Sequence, residues 1–432
     1  MDKKSVSVYR WTYGLVALFV THLGHAMVPD FNITPITSTE MLLPKNSAVM
    51  IRYKVTNQTQ LRRQLTMQTI LGVHQATDGA GICSNPFILN PNESCTLKLR
   101  IIGSQIPPRI TGGPVICKTK SATDNTPDPF LCSQPAVPDR LAISLIPPLP
   151  QQKAYITNWY GNSISLCKVN VLDGSLIDCT VTAQGTPVFQ NPEAIALNPS
   201  GSLLYNANIG GSSVSFCKIN SATGALRDCQ LTGGTFKGAD GIAINPAGTL
   251  AYVSNASGNN VSVCQVDDTS GALGNCTATG ANFHTPSDMT LDSAGLNAYV
   301  SNLISSSVSI CPIDASGLLH CDKSTHGFNK PEGVTLHPSG QFAYITNNGS
   351  NNVSVCQVSA VDGSLRSCKI TDGAFNGFGN LAFNSLGTQA YIPNMLKSTV
   401  SVCSVNLRNG DLYDCVDSHG HGFKGPSGIL LK

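Results

Sequence analysis

Pairs of cysteines are the residues whose types and spacing first suggest chemistry in this 432-residue sequence. One pair bounds the segment CKINSATGALRDC (217–229), and five segments of similar make occur elsewhere between residues 167 and 415. Paired cysteines ligate metals, carry out redox exchange or form structural disulfides. Zinc knuckles use CxxC spacing, which the sequence lacks, and a redox dithiol is expected once rather than six times. The spacing therefore favours structural disulfides.

A glycine between the cysteines of each pair supports this interpretation. In five pairs it lies seven residues after the first cysteine and five before the second, whereas in CPIDASGLLHC (311–321) the distances are six and four. One residue is missing on each side of the loop, so the two cysteines stay opposite each other in an antiparallel hairpin. The predicted pairs are Cys167–Cys179, Cys217–Cys229, Cys264–Cys276, Cys311–Cys321, Cys356–Cys368 and Cys403–Cys415.

Two further pairs are predicted nearer the N-terminus. Cys83 and Cys95 show the same separation of twelve positions, and Cys117 and Cys132 then remain to close the loop KTKSATDNTPDPFL. An even number of cysteines, all after residue 26, is typical of a protein that folds in an oxidising compartment.

The first 26 residues have the features of a secretory signal peptide. Lys3, Lys4 and Arg10 precede the short apolar run YGLVALFVTHLG, and small residues follow at Gly24 and Ala26. We expect a secreted, periplasmic or cell-surface protein with no integral membrane segment after cleavage, and an uncleaved anchor is the alternative.

The chain repeats itself from residue 152 onward. Segments of the type AYITN end at Asn158, Asn208, Asn255, Asn302, Asn347 and Asn394, with spacings of 50, 47, 47, 45 and 47 residues. Each repeat holds four short runs with the alternation and composition of β-strands, which is typical of a propeller blade. The C-terminal run PSGILLK (426–432) has no partner of its own and is predicted to lie beside 154–158. We therefore expect an all-β fold with a six-bladed β-propeller over 152–432; seven blades are the alternative if LAISLIPP (141–148) contributes.

Units such as NNVSVCQVDDTSGALGNC, followed by GIAINPAGTLAYVSN, resemble the YVTN-type repeat and the repeats of lactonase-like β-propellers. This resemblance covers about 152–432 and implies the propeller fold. It implies less about activity, because such repeats occur in binding, scaffolding and enzymatic proteins. The sequence departs from the pattern by placing cysteine where an aliphatic or aromatic residue is usual.

Alignment of the repeats points to a candidate functional site. Glu193, Asp240, Ser287, Glu332, Gly379 and Ser427 share one position, at the start of the strand expected to line the central channel. Three carboxylates at a channel mouth bind a cation or a basic partner, or act as acid and base in lactone hydrolysis. The alternative is that they accept hydrogen bonds from backbone amides of neighbouring loops. No catalytic residue, metal site or cofactor is predicted.

Residues 27–147 lack the repeat and are predicted to form a separate domain. SAVMIRYKVTNQT (47–59), QLTMQTI (64–70) and SCTLKLRII (94–102) alternate as β-strands, which predicts an immunoglobulin-like β-sandwich resembling bacterial Ig-like modules. The proline-rich segment IPPLPQQ (146–152) is expected to be the linker.

Composition excludes some partners. Charged residues make up 12% of the chain and the net charge is +2, so there is no basic field for nucleic acid. The leading hypothesis is a monomeric, non-enzymatic binding or scaffolding module for an unknown protein or glycan ligand. The rivals are a lactonase-like hydrolase and a mainly structural envelope protein.

Overall fold

The computed structural model describes residues 30–432, apart from residues 186, 281, 372, 374, 378 and 419. The predicted signal peptide (1–26) lies outside the described residues. The described part is all-β, with two short 3-10 helices at Gly103–Gln105 and Val137–Asp139. Among these residues, no helix is long and apolar enough to cross a membrane.

The first eleven strands are β1 (Phe31–Pro35), β2 (Glu40–Pro44), β3 (Ala48–Asn57), β4 (Arg63–Met67), β5 (Val73–Ala76), β6 (Phe87–Leu89), β7 (Ser94–Ile102), β8 (Arg109–Thr111), β9 (Ile116–Thr119), β10 (Pro127–Ser133) and β11 (Ala142–Ile146). The strands of the repeats are β12 (Lys153–Asn158), β13 (Ser163–Val169), β14 (Leu176–Gln184), β15 (Pro192–Leu197), β16 (Leu203–Asn208), β17 (Ser213–Ile219), β18 (Leu226–Leu231), β19 (Ala239–Ile244), β20 (Leu250–Asn255), β21 (Asn260–Val266), β22 (Leu273–Thr279), β23 (Pro286–Leu291), β24 (Asn297–Asn302), β25 (Ser307–Pro312), β26 (Lys323–His326), β27 (Pro331–Leu336), β28 (Phe342–Asn347), β29 (Asn352–Val358), β30 (Leu365–Thr371), β31 (Ala382–Phe383), β32 (Gln389–Asn394), β33 (Thr399–Val405), β34 (Leu412–Asp417) and β35 (Pro426–Leu431).

Strands β1 to β11 form three sheets, with the orders β1-β3-β7-β5, β10-β9-β4-β6 and β2-β11-β8. Alternate residues of the long strands, such as Ile51 and Tyr53 of β3, are fully buried in one hydrophobic core. The sequence predicts three of these strands, β3, β4 and β7. LAISLIPP supplies β11, which pairs with β2 and β8 in this region and not with a repeat strand. The immunoglobulin-like type stays a prediction.

The repeats form six four-stranded antiparallel sheets in the described part of the chain. The first has the order β14-β13-β12-β35, and the other five each use four consecutive strands, from β15-β16-β17-β18 to β31-β32-β33-β34. The C-terminal strand β35 therefore pairs with β12, with Tyr155 opposite Leu430. We call β15, β19, β23, β27, β31 and β35 the inner strands, because they contact the inner strands of neighbouring sheets.

The AYITN-type segments contain side chains that bind the next sheet. The hydroxyl of the buried Tyr155 donates to the carbonyl oxygen of Gly224, at 2.7 Å, in a hairpin loop of the second sheet. The Thr157 hydroxyl donates to the carbonyl oxygen of Glu193 on inner strand β15, at 2.8 Å. Equivalent tyrosine bonds join Tyr205 to Gly271, Tyr299 to Gly363 and Tyr344 to Gly410. Two positions of the repeat motif thus hold adjacent sheets together.

The closing asparagine of each segment bonds within its own sheet. The Asn158 amide donates to the Ser165 hydroxyl at 2.9 Å and accepts the Lys424 backbone N–H at 3.1 Å. Asparagine combines a donor and an acceptor on one short side chain, so it satisfies both groups at once. This explains why the motif ends in the same residue six times.

Hydrogen bonds also join the sixth sheet to the first. The Ser418 hydroxyl accepts the Leu176 backbone N–H at 2.7 Å, and the Gln389 amide donates to the carbonyl oxygen of Asp173 at 2.9 Å. These residues are more than 200 positions apart in sequence. The two ends of the repeat array are therefore in direct contact.

Eight disulfides link all 16 cysteines in the pairs that their spacing predicts. The six in the repeats join the two outer strands of each sheet or the hairpin between them, with Cα–Cα distances of 4.0 to 4.1 Å. The shortened hairpin keeps this geometry, because Cys311 and Cys321 are 4.1 Å apart between Cα atoms. Eight disulfides are typical of a protein that folds outside the reducing cytoplasm.

The N-terminal sheets rest on the sixth repeat sheet. A salt bridge joins Arg52 to Asp414, and Arg408 Nη1 lies 3.1 Å from Asp139 Oδ1. The Asn406 amide donates to the carbonyl oxygen of Ile36 at 3.0 Å.

Candidate ligand site on the inner strands

Four carboxyl groups come together where the inner strands begin. They belong to Glu193 of β15, Asp240 of β19, Asp288 of β23 and Glu332 of β27. Glu193 and Asp240 are 7% exposed and Asp288 is 6% exposed. Glu332 is half-buried as a residue, but its Oε2 atom is fully enclosed. Sequence alignment predicts three of the four; it misses Asp288, which follows the aligned Ser287.

Burial raises the pKa of every one of these carboxyl groups, since a charged group loses its hydration there. The pKa of Asp288 and that of Glu332 rise to about 7. The pKa values of Glu193 and Asp240 rise well above normal, first through burial and then through repulsion by their acidic neighbours. Glu332 repels both, so carboxylates on separate sheets share one electrostatic environment.

Only part of this acidic cluster is satisfied by hydrogen bonds. The Ser287 hydroxyl donates to Asp240 Oδ2 at 3.2 Å, and the Val334 backbone N–H donates to Asp288 Oδ2 at 3.1 Å. Within the described residues, Glu193 Oε1 and Glu332 Oε2 are buried and accept no hydrogen bond. A backbone amide thus satisfies Asp288, which the alignment does not include. Among the hydrogen bonds of the described residues, no backbone amide donates to the aligned Glu193, Asp240 or Glu332, and one oxygen of each glutamate stays free.

A fully buried amide adds a third unpaired acceptor. Asn206 occupies the place that Ile156 has in the first sheet, and it lies opposite Ile195 of the strand that carries Glu193. Its Nδ2 donates to Asn208 at 2.7 Å, whereas its Oδ1 accepts nothing in the described structure. The sequence gives one signal for this residue, since asparagine replaces the aliphatic residue that the other five repeats have at this position.

The remaining predicted residues have structural contacts. Ser427 donates to the carbonyl oxygen of Pro192 at 3.0 Å and lies 3.0 Å from the Thr157 hydroxyl. Gly379 accepts a hydrogen bond from Thr346 at 2.9 Å through its carbonyl oxygen. These bonds fix one inner strand against the next.

An apolar rim lies on the same face of the repeat region. Pro192, at the start of β15, pairs with Asn208, so the loop that follows each motif asparagine is on the face where the carboxylates lie. Three of these loops expose large apolar side chains: Tyr160, Ile304 and Leu396 are 57%, 73% and 66% exposed. Trp159 packs edge-on against Tyr160, with 4.9 Å between ring centroids.

No described basic side chain forms an ion pair with the acidic cluster. None of the four carboxylates forms a salt bridge with any described lysine, arginine or histidine. No described group of three or more His, Cys, Asp or Glu side chains has the geometry to hold a metal ion.

Repeated four-stranded antiparallel sheets with contacting inner strands are the architecture of a β-propeller. A family model described as "Lactonase, 7-bladed beta-propeller" matches residues 148–284 and 275–374, which is more than half of the chain. The chain belongs to this lactonase family. Its described residues form six repeat sheets, although the family description names seven blades.

Solved structures give further similarities. A chain of a nidogen/laminin complex is 12% identical with a TM-score of 0.51, and the match covers 65% of this chain and 98% of that one. The periplasmic gluconolactonase of Pseudomonas aeruginosa is 16% identical with a TM-score of 0.48, over 74% and 95%. A candidate 6-phosphogluconolactonase of Bacteroides fragilis is 14% identical with a TM-score of 0.48, over 65% and 98%. No curated protein matches the chain.

Proposed function

We propose that this protein is an exported binding protein whose inner-strand carboxylates receive a cationic group, an ammonium or a guanidinium, from a ligand or protein partner. The observation that carries the proposal is the set of unpaired acceptors Glu193 Oε1, Glu332 Oε2 and Asn206 Oδ1. Buried acceptors without donors are costly, and a ligand with several N–H donors would satisfy them.

Charge supports the same class of ligand. Four enclosed carboxyl groups without a described counter-ion repel one another, so a bound cation relieves both their repulsion and their unfavourable ionisation. The apolar rim with Trp159 and Tyr160 suits a cation that carries apolar or aromatic-binding groups, because aromatic faces attract ammonium and guanidinium ions. A basic side chain on a protein partner has this combination.

The architecture we propose for this function is a closed six-bladed propeller behind an Ig-like module. The pairing of β35 with β12 and the bonds from Ser418 to Leu176 support closure. Closure would bring the six inner strands around one axis, so that their first residues face a common opening. The N-terminal sheets would present this monomeric propeller at the cell surface or in the periplasm.

Isothermal titration calorimetry of the oxidised protein with spermidine and with arginine amide tests the proposal. We expect binding at pH 8 and at least tenfold weaker binding at pH 5.5, because carboxyl groups with a pKa of about 7 are protonated there. The Asp240→Asn and Glu332→Gln variants should each lose at least tenfold in affinity. Asp268→Asn, which changes an exposed acid, is the matched control and should bind normally.

Two results would overturn the proposal. One is equal affinity of the wild type and both site variants for each cation. The other is absence of binding by a protein whose thermal unfolding shows that it is folded. Titration with calcium chloride alone separates a metal ion from an organic cation, and tighter binding of calcium would reject the organic class.

Hydrolysis of an uncharged sugar lactone is the second candidate function, favoured by membership of the lactonase family. A carboxylate with a pKa near 7, such as Asp288 or Glu332, is suited to activate water as a general base. A neighbouring protonated acid would donate to the leaving alkoxide. An assay against glucono-δ-lactone and its 6-phosphate separates the two functions. Turnover that Glu193→Gln or Glu332→Gln abolishes would replace the binding proposal.

A further inference from the structure

A cleft of about 720 Å³ lies where the N-terminal sheets meet the first and sixth repeat sheets. Its walls come from β2 and β3 on one side and from the hairpin loop after β13 and the strands β33 and β34 on the other. Ligand sites of about 300–1,000 Å³ are common at such domain junctions. The carboxylates of the inner strands do not line this cleft, so it is a separate site.

One part of the cleft wall is apolar and open to solvent. Leu42 of β2, Leu172 of the hairpin loop and Val416 of β34 are 55%, 46% and 63% exposed, and all three line the cleft. Three large apolar side chains from separate elements thus face the same space. Exposed apolar groups collected in a concave surface are typical of a site for an apolar ligand.

Basic side chains also line the cleft, together with the acidic Asp78, Asp173 and Asp414. Arg52 and Lys98 are directly opposite each other on β3 and β7, and Arg100 is two residues further along β7. Arg52 pairs with Asp414 and Lys98 pairs with Asp78, but Arg100 has no described ion pair or hydrogen bond. Arg52 Nε is also buried and donates to no acceptor in the described structure. Arg100 is therefore the basic side chain of this lining that no described carboxylate pairs with, and Arg52 Nε adds an unused donor beside the apolar wall.

We propose that this cleft binds an anionic amphiphile, a molecule with one carboxylate and an apolar chain. Its carboxylate would lie near Arg100 and accept a hydrogen bond from Arg52 Nε. Its chain would cover Leu42, Leu172 and Val416. The occupant is a small molecule, because a volume of about 720 Å³ is that of a small-molecule site.

Displacement of 8-anilinonaphthalene-1-sulfonate by laurate, dodecanol and dodecylamine tests the head group. We expect laurate to bind at least tenfold more tightly than dodecanol, and dodecylamine to bind more weakly still. The Arg100→Gln variant should reduce laurate affinity five- to twentyfold and leave dodecanol unchanged, because only laurate is charged. Arg109→Gln, at an exposed arginine outside the cleft, is the matched control and should behave as the wild type.

A second variant tests the location. Ala76 lines the cleft opposite Lys98 on the neighbouring strand, so Ala76→Trp should fill it and abolish displacement by laurate, while thermal unfolding reports the folded state. Equal affinity for laurate and dodecanol would overturn the proposal, as would unchanged laurate binding in a folded Ala76→Trp protein. Absence of laurate binding by the wild type would overturn it as well.

Discussion

The outer hairpins and the inner strands of the six repeat sheets differ in how strictly the chain repeats them. Every outer hairpin has its two cysteines, its loop glycine and its disulfide. The second residue of the inner strands is not constant. It follows a proline or an alanine and is Glu193, Asp240, Ser287, Glu332 or Ser427. The outer hairpin of each repeat thus has the same structural role in all six sheets, whereas the inner strands place different side chains at equivalent positions.

The outer hairpins and the inner strands also differ in whether they stabilise or destabilise the fold. The disulfides of the outer strands stabilise the fold, whereas four buried carboxyl groups on the inner strands oppose it when ionised. Residues that lower stability and lack partners mark functional sites more often than residues that stabilise. Changes in the outer half should therefore cost stability, and neutralising changes in the inner half should increase it.

The largest effect is expected from pH. The folded-state pKa of Asp288 and of Glu332 is raised to about 7, above the unfolded value, so the folded protein holds protons that the unfolded chain releases. The resulting stability is fully present below about pH 4 and is lost as pH rises to 7, at about 1.4 kcal/mol for each unit of pKa displacement. Denaturant unfolding without ligand should show a loss of several kcal/mol between pH 5 and pH 8.

The same experiment on Asp288→Asn should give a smaller loss and a more stable protein at pH 8. Asparagine retains an acceptor for the Val334 N–H, as Asn380 does for Ile429 on a neighbouring pair of strands. Asp268→Asn should follow the wild-type curve. Identical pH profiles for all three proteins would show that the inner acids do not oppose folding.

Removal of one outer disulfide should have the next largest effect. The double change Cys217→Ser and Cys229→Ser opens a loop of twelve residues, which corresponds to about 3 kcal/mol in the chain-entropy model. Guanidinium unfolding measures the loss, and spermidine binding should be unchanged in the folded fraction. A loss of spermidine affinity with no loss of stability would contradict this prediction, because the outer hairpins would then contribute to binding and not to stability.

Gly241→Ala should cost about 2 kcal/mol, within the usual range for overpacking. A Cβ at this inner-strand position would lie 2.7 Å from the Asp288 Cα and from the carbonyl oxygen of Ser287. Gly274→Ala is the control, because a Cβ there meets no atom within 4 Å. Equal urea midpoints for the two variants would show that the inner strands have room to separate.

Tyr155→Phe should lose about 1 kcal/mol, the usual contribution of a buried hydrogen bond. Its hydroxyl bonds Gly224 of the next sheet at 2.7 Å, whereas the Tyr391 hydroxyl lies 3.3 Å from Gln389 of its own strand. Tyr391→Phe should therefore change the melting temperature less. The reverse order in a thermal scan would contradict the role we assign to the motif tyrosine.

The outer half of the repeat is largely predictable from sequence. Cys311 and Cys321 are an example, since their symmetry about Gly317 predicts the disulfide without any structure. Asp288 is not predictable in this way. The register at the start of β23 is irregular between Pro286 and Met289, as it is at the start of β15, β19 and β27, and such a bulge changes which side chains reach one face of a strand. A residue one place later thus joins the cluster.

The sequence by itself determined the six repeats, through a spacing of 45 to 50 residues. It also determined their hairpins and cysteine pairs, because these rest on register between residues 10 to 15 positions apart. Only the tertiary structure decided that Glu193 and Glu332 share one environment, and that Asn206 has a buried acceptor without a described donor. It also placed Arg100 across a cleft from Val416. The physical reason is that burial and electrostatic coupling depend on packing between distant segments, which local patterns do not encode.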